Sequence, residues 1–183
     1  ITKGEESMLA DKVSKNEIIE KILVDNKKEI KAQIANDNSD SQIVLSGKVK
    51  DLEILDKFLK ENSIKTIKLP VSAPFHCSLM SNATIIMREE LDKLTFQNSG
   101  KKLISNVTSE PILHFEELKN LLIKQIENRV RWRESVINMI KNGIIHFIEI
   151  GPGKVLSGLV KRINRDVKID TINNQEDIRN LKL

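Results

Sequence analysis

The strongest constraint on the fold of this chain is the order in which its hydrophobic periodicity changes between Glu6 and Leu69. ESMLAD, from Glu6 to Asp11, reads as a short strand. In KNEIIEKILVDN, Ile18, Ile19, Ile22 and Leu23 recur at helical spacing, with Ser14 or Asn16 as the N-cap. EIKAQIAN then alternates, setting Ile30, Ala32 and Ile34 on one face of a half-buried strand. DNSDS has the composition of a turn, and QIVLSG is a second strand ending in glycine. KVKDLEILDKFLKENS carries Val49, Leu52, Leu55, Phe58 and Leu59 on one face of an amphipathic helix, and IKTIKLP returns as a strand. The order is β-α-β-β-α-β, the ferredoxin-like arrangement.

Beyond Pro70 the texture changes. A loop carrying His76 leads into MSNATIIMREELDKLTF, a helix with Ile85, Ile86, Met87, Leu91 and Leu94. KKLISNVT is expected to be a buried strand followed by a polar turn. HFEELKNLLIKQIEN and RWRESVINMIKNG are two further helices, the second stopped by Gly143. IIHFIEIGPGKVLSGLVKRI reads as strand, tight glycine turn and helix, and VKIDTI as a final strand. Such alternation belongs to an α/β layered domain with a parallel sheet.

At 183 residues the chain fits one ordinary domain or two small ones, with enough length to bury a core. No apolar run approaches the ~18 residues of a membrane span, and ITKGEESMLADKV has no apolar signal core. Because the first residue is Ile1 rather than Met, the chain is not expected to be the start of an intact gene product. A single cysteine excludes an internal disulfide framework and fits a reducing, cytoplasmic setting. The three histidines and one cysteine lie too far apart for metal-ligand spacing. The net charge of +4 is spread among acids rather than gathered in a block. With aromatics at 3% and no tyrosine, the chain lacks the stacking residues of a nucleic-acid surface.

The residues that bear on chemistry are few. Gly151-Pro152-Gly153 lies between a strand and a helix, where backbone N–H groups could meet an anion. It matches neither the P-loop nor the dinucleotide fingerprint, so a structural turn is the simpler reading. A serine acyltransferase needs a G-x-S-x-G elbow to expose its hydroxyl, and none is present. Ser157 sits inside a helix, and Ser7 and Ser46 have no elbow context. His76 lies in LPVSAPFHCSLM beside Cys77, but neighbours in an extended segment point to opposite sides, so a Cys–His pair is not expected. His114 and His146 look like isolated packing or surface residues.

Four motifs, IANDNSDSQIVLSG, LPVSAPFHCSLM, QIENRVRWRESV and EIGPGKVLSGLVKRI, occur in this order. Together they resemble the second half of a malonyl-CoA:acyl carrier protein transacylase, from about residue 5 onward. The resemblance implies a ferredoxin-like small subdomain over 5–68 and the C-terminal part of an α/β-hydrolase-like large acyltransferase subdomain over 69–183. It implies malonyl transfer from malonyl-CoA to the phosphopantetheine thiol of acyl carrier protein in fatty acid synthesis, by a Ser–His ping-pong mechanism without a cofactor. It makes His76 the base and makes the backbone carbonyl of Gln125 the acceptor that orients its ring. It sets Asn36 and Asn38 at the mouth of the cleft through which the pantetheine arm passes. It further implies that the serine, the oxyanion donors and the malonyl-binding arginine lie in a half upstream of Ile1, a possible separate partner.

The departures from the family pattern are local. Asp40 and Ser41 stand where Pro-Gly is common, and Arg129 stands where a proline is common. Trp132 is expected to anchor the core. The alternative function is an inactive remnant, or a module docking acyl carrier protein; Arg129, Arg131, Arg133, Lys161, Arg162 and Arg165 could face that acidic partner, although a solvated surface is the simpler reading. A chain of this kind by itself is expected to self-associate or to need a partner.

Overall fold

The computed structural model describes residues 5–11, 16–71, 73–97, 100–114 and 116–181, so the candidate cap Ser14 and the aromatic Phe115 lie outside the described residues. The first six elements are β1 (Glu6–Asp11), α1 (Asn16–Asp25), β2 (Gln33–Ser39), β3 (Gln42–Lys48), α2 (Val49–Glu61) and β4 (Thr66–Lys68). They form one sheet in the order β2-β3-β1-β4 with every neighbouring pair antiparallel, which is the ferredoxin-like topology.

Strand alternation divides the apolar residues between the two faces of this sheet. Leu9, Ile43 and Leu45 face α1 and α2, where they meet Ile19, Ile22, Leu52, Leu55 and Leu59. Met8, Ala10, Ala35 and Val44 face the other way and pack against Leu69 and Val71, the start of the His76 segment. The sheet is therefore buried on both sides, with helices on one side and the remainder of the chain on the other.

The structure departs from the sequence expectation at β2. Ile30 and Ala32 are buried but precede the strand, and the strand continues through Asn36-Asp37-Asn38-Ser39, leaving a turn at Asp40 and Ser41. Those polar residues stay extended because Val130, remote in sequence, bonds to their free edge. The Asp37 N–H donates to the Val130 carbonyl at 2.9 Å, and the Val130 N–H donates to the Ala35 carbonyl at 2.8 Å. Pairing at a distance here overrides local turn composition.

The later elements are α3 (Ser81–Asp92), α4 (Glu117–Gln125), α5 (Trp132–Lys141), β5 (His146–Ile150), α6 (Val155–Ile163), β6 (Lys168–Ile172) and α7 (Gln175–Asn180). A single 3-10 turn, Ser78–Met80, precedes α3. β5 and β6 are parallel, joined by α6 as the crossover. Gly143 ends α5 at φ 88°, a conformation open to glycine without strain. The expected strand in KKLISNVT does not form; Ile104 makes one bridge to Pro111. The intervening chain reverses because the Ser105 hydroxyl accepts from the N–H groups of Val107 and Thr108, a local alternative to strand pairing. α7 is too short to show an apolar period, and Asn174 and Asp177 form a reciprocal capping box at its start.

Large apolar side chains remain open on the later elements: Ile85, Ile86 and Met87 on α3, and Ile145, Ile150 and Val155 around β5. Two predictions follow from this distribution of buried and open surface. Leu55, fully buried between α2 and the sheet, should cost about 2–5 kcal/mol in urea unfolding when changed to Ala. The chain by itself should self-associate at micromolar concentration in sedimentation velocity, and a monodisperse monomer would contradict this.

Candidate functional site

The site is built on the segment from Leu69 to Met80. Its entry is fixed by the Leu69 N–H, which donates to the Met8 carbonyl of β1 at 3.0 Å. Ala73 and Pro74 are buried, Phe75 is largely open, and His76 takes φ 60°, the left-handed region. A non-glycine residue held there costs on the order of 1–3 kcal/mol and persists only where its surroundings enforce it. The enforcement is visible on both flanks. Pro74 restricts one side, and on the other the Ser78 N–H donates to Oε1 of Gln33 on β2 at 2.7 Å.

The turn aims the His76 ring at the end of α4. Nδ1 lies 2.9 Å from the carbonyl oxygen of Gln125, the last residue of that helix. Carbonyls of a final helical turn lack an intrahelical donor and are open to a side chain. A carbonyl only accepts, so the ring proton resides on Nδ1 and the neutral ring carries its lone pair on Nε2. The Gln125 amide lies 3.5 Å from the same nitrogen and donates instead to the Asn128 carbonyl at 3.2 Å. One contact therefore defines the tautomer, and it is made by main chain.

Beside the ring is an open groove of about 420 Å³, walled by Leu23, Val24 and Ile34 with Gln33, Asn128 and Arg129 around it. Asn36 and Asn38 do not line this groove; they lie further along β2, half-buried, and their side chains make no hydrogen bond among the described residues. The other histidines stand apart. His114 is exposed. His146 is not isolated as expected, because its Nε2 lies 2.7 Å from Asp170 Oδ2 on the neighbouring strand β6.

The glycine turn after β5 is closed from within. The Gly153 N–H donates to Asn173 Oδ1 at 2.6 Å, and the Glu149 carboxylate accepts from the N–H groups of Leu156 and Ser157 at 3.1 and 2.7 Å. The chain's own carboxylate thus occupies the place at the start of α6 that an external anion would take.

The candidate docking arginines are also engaged. Arg129 pairs with Glu20 of α1 at 2.8 Å, and Arg131 pairs with Glu134 at 2.5 Å. Arg133 grips the fully buried Asp37 with two nitrogens, each at 3.0 Å, and reaches Asp40 with the third at 3.0 Å. The hydrogen bonds to Asp37 hold the Arg133 pKa above its ordinary value. Lys161, Arg162 and Arg165 remain exposed. Trp132 is half-buried beside these pairs. Gln33, Asp37 and the structural use of Arg129 and Arg133 had no signal in the local sequence, since each partner is far away along the chain.

No family model matches the chain. A malonyl CoA-acyl carrier protein transacylase of Bacillus subtilis (strain 168) is 42% identical over 147 residues, which is 80% of this chain and 46% of that protein. The solved malonyl CoA-acyl carrier protein transacylase of Clostridium perfringens superposes with a TM-score of 0.93 at 35% identity, over 98% of this chain and 57% of its own. A malonyl-transacylase solved in complex with its type II PKS acyl-carrier protein has a TM-score of 0.91 at 28% identity, over 98% of this chain and 58% of its own. The chain spans about half the length of the curated relatives it matches. Among the described residues no helix is long and apolar enough to cross a membrane, and no group of His, Cys, Asp and Glu could hold a metal ion.

Cys77 adjoins His76 in sequence but belongs to the core. Its Sγ donates to the Pro74 carbonyl at 3.1 Å, and the side chain is buried. The reason is burial in a tight turn rather than the alternation of an extended segment. Burial pushes the thiol pKa up, which keeps it protonated and unreactive near neutrality. At pH 7.5, therefore, Cys77 should react with a thiol-specific disulfide reagent only after addition of denaturant. Rapid stoichiometric reaction of the native chain would show a thiolate shared with His76 instead.

Proposed function

With the chain related in sequence and fold to the malonyl CoA-acyl carrier protein transacylases, we propose that it forms part of an acyltransferase moving malonyl groups from malonyl-CoA to the phosphopantetheine thiol of an acyl carrier protein. The observation that carries this reading is the hydrogen bond from His76 Nδ1 to the Gln125 carbonyl, 2.9 Å long, which leaves Nε2 free to act as a base. The relative solved with its acyl-carrier protein supports the choice of acceptor.

The nucleophile in this reading is a serine hydroxyl that this chain does not supply. His76 Nε2 takes the hydroxyl proton as the serine oxygen attacks the malonyl thioester carbonyl, and the imidazolium returns that proton to the departing coenzyme A sulfur. In the second half the same nitrogen takes the proton of the phosphopantetheine thiol. The sulfur attacks the malonyl ester, and the proton goes back to the serine oxygen as the acyl–oxygen bond breaks. The thioester is already activated, so the cycle needs no cofactor. Gln125 acts through its main chain and orients the ring without touching substrate. Asn36 and Asn38, on β2 outside the groove beside His76 and with side chains making no hydrogen bond among the described residues, stand in this reading at the mouth through which the pantetheine arm passes. Residues 5–68 form the small subdomain of this assembly and 69–183 part of the large one.

The test is transfer of labelled malonyl to acyl carrier protein, with the chain alone and with the chain supplemented by the part of the Bacillus subtilis relative that it does not span. Transfer is expected only in the mixture, falling by about 10²–10⁴-fold with His76→Ala and little with Gln125→Ala. Labelling of the chain alone, or transfer indifferent to His76→Ala, would overturn the reading.

A further inference from the structure

Resting on His76 as the base, a second layer of residues can be assigned. The Gln125 carbonyl opens a segment, residues 125–133, that joins the end of α4 to the start of α5 and is also held by contacts with distant parts of the chain. Its main chain is fixed to β2 at Val130, through the two hydrogen bonds with Ala35 and Asp37. Its side chains reach back to the small sheet at two further points, both arginines. Arg129 spans to Glu20 on α1 at 2.8 Å and also lies 3.7 Å from Glu134. Arg133 uses all three guanidinium nitrogens, two on Asp37 and one on Asp40. Asp37, fully buried, also accepts from Asn16 at the start of α1 at 3.0 Å.

The opposite side of the contact is referenced to the same strand, since Gln33 of β2 holds the Ser78 N–H two residues beyond His76. Both partners of the Nδ1–carbonyl bond are thus measured from β2. A shift of the 125–133 segment by a fraction of an ångström would lengthen that bond, because a hydrogen bond weakens steeply with distance and angle. Arg129 and Asp40 both make ion pairs across this junction. Planar, multidentate pairing by arginine supplies directional restraint.

We propose that Arg129 and Arg133 are positioning residues for His76, clamping α1 and the tip of the β2–β3 hairpin to the 125–133 segment so that the Gln125 carbonyl selects the ring tautomer. Neither touches the reacting atoms. Their effect is on which ring nitrogen carries the proton.

The experiment is nitrogen NMR of the full chain labelled with ¹⁵N-histidine, which reads the protonation of each ring nitrogen without malonyl-CoA or acyl carrier protein. The wild-type chain should show a protonated Nδ1 and a bare Nε2 at His76. Arg129→Ala should lose part of that signature, and the double variant Asp37→Leu, Arg133→Leu should lose most of it, the two nitrogens averaging as in a free imidazole. The double variant removes both charges together, so no buried carboxylate is left unpaired and the fold can be retained. Backbone amide spectra recorded in parallel verify that it is. A folded double variant with an unchanged His76 signature would overturn the proposal. Because no turnover is involved, failure of malonyl transfer with a responsive tautomer counts against the reaction and not against the clamp.

Discussion

The free edge of β2 is the constraint around which the molecule is organised. An edge strand presents unpaired N–H and C=O groups that must find partners. Here Val130 supplies both, donating to Ala35 and accepting from Asp37. That join brings a carboxylate into the interior, and a buried carboxylate is tolerable only with its lone pairs matched. Arg133 and Asn16 match those of Asp37. The backbone pairing and the charge pairing therefore require each other. The His76 turn and the end of α4, which meet at the candidate base, are both suspended from this strand.

Much of the small sheet could be read from the sequence because its elements obey local rules. Apolar residues at helical spacing located α1 and α2, and short apolar runs located β1 and β3, though not the division between the two faces that the structure buries. The reading stopped short where distant residues decide. Asp37 to Ser39 have turn composition, yet they are strand because Val130 completes their edge. Ile104 looked like part of a buried strand and makes one bridge, because Ser105 takes the following N–H groups into a turn. α7 was legible in principle only through Asn174 and Asp177, because six residues with one large apolar side chain show no helical periodicity.

For the site, the motif around His76 was visible, and so was the partner carbonyl by resemblance. The left-handed backbone of His76 was not, nor the grip of Gln33 on Ser78, since neither leaves a local pattern. The use made of the arginines was not legible either. In sequence they are cations close to a tryptophan, open to an acidic partner or to solvent alike. In three dimensions the carboxylates that meet Arg129 and Arg133 come from α1, β2 and the β2–β3 turn. Composition counts charges but does not say which are already neutralised within the chain. The glycine turn carries the same lesson, since Glu149 already occupies its helix terminus.

The Arg133–Asp37 contact joins residues 96 positions apart. Most of the small sheet and its two helices pack on one another, so that part can assemble while the rest of the polypeptide is still emerging from the ribosome, before the β2 edge is completed. Closing a span of that length carries an entropic cost that rises with the logarithm of the loop, and the closure must wait for α5 to be synthesised. During that interval Asp37 has no counter-ion and the β2 edge has no partner. The polar Asn-Asp-Asn-Ser run along that edge then has a second use, as a hydrophilic guard that discourages strand addition by neighbouring nascent chains until Val130 arrives.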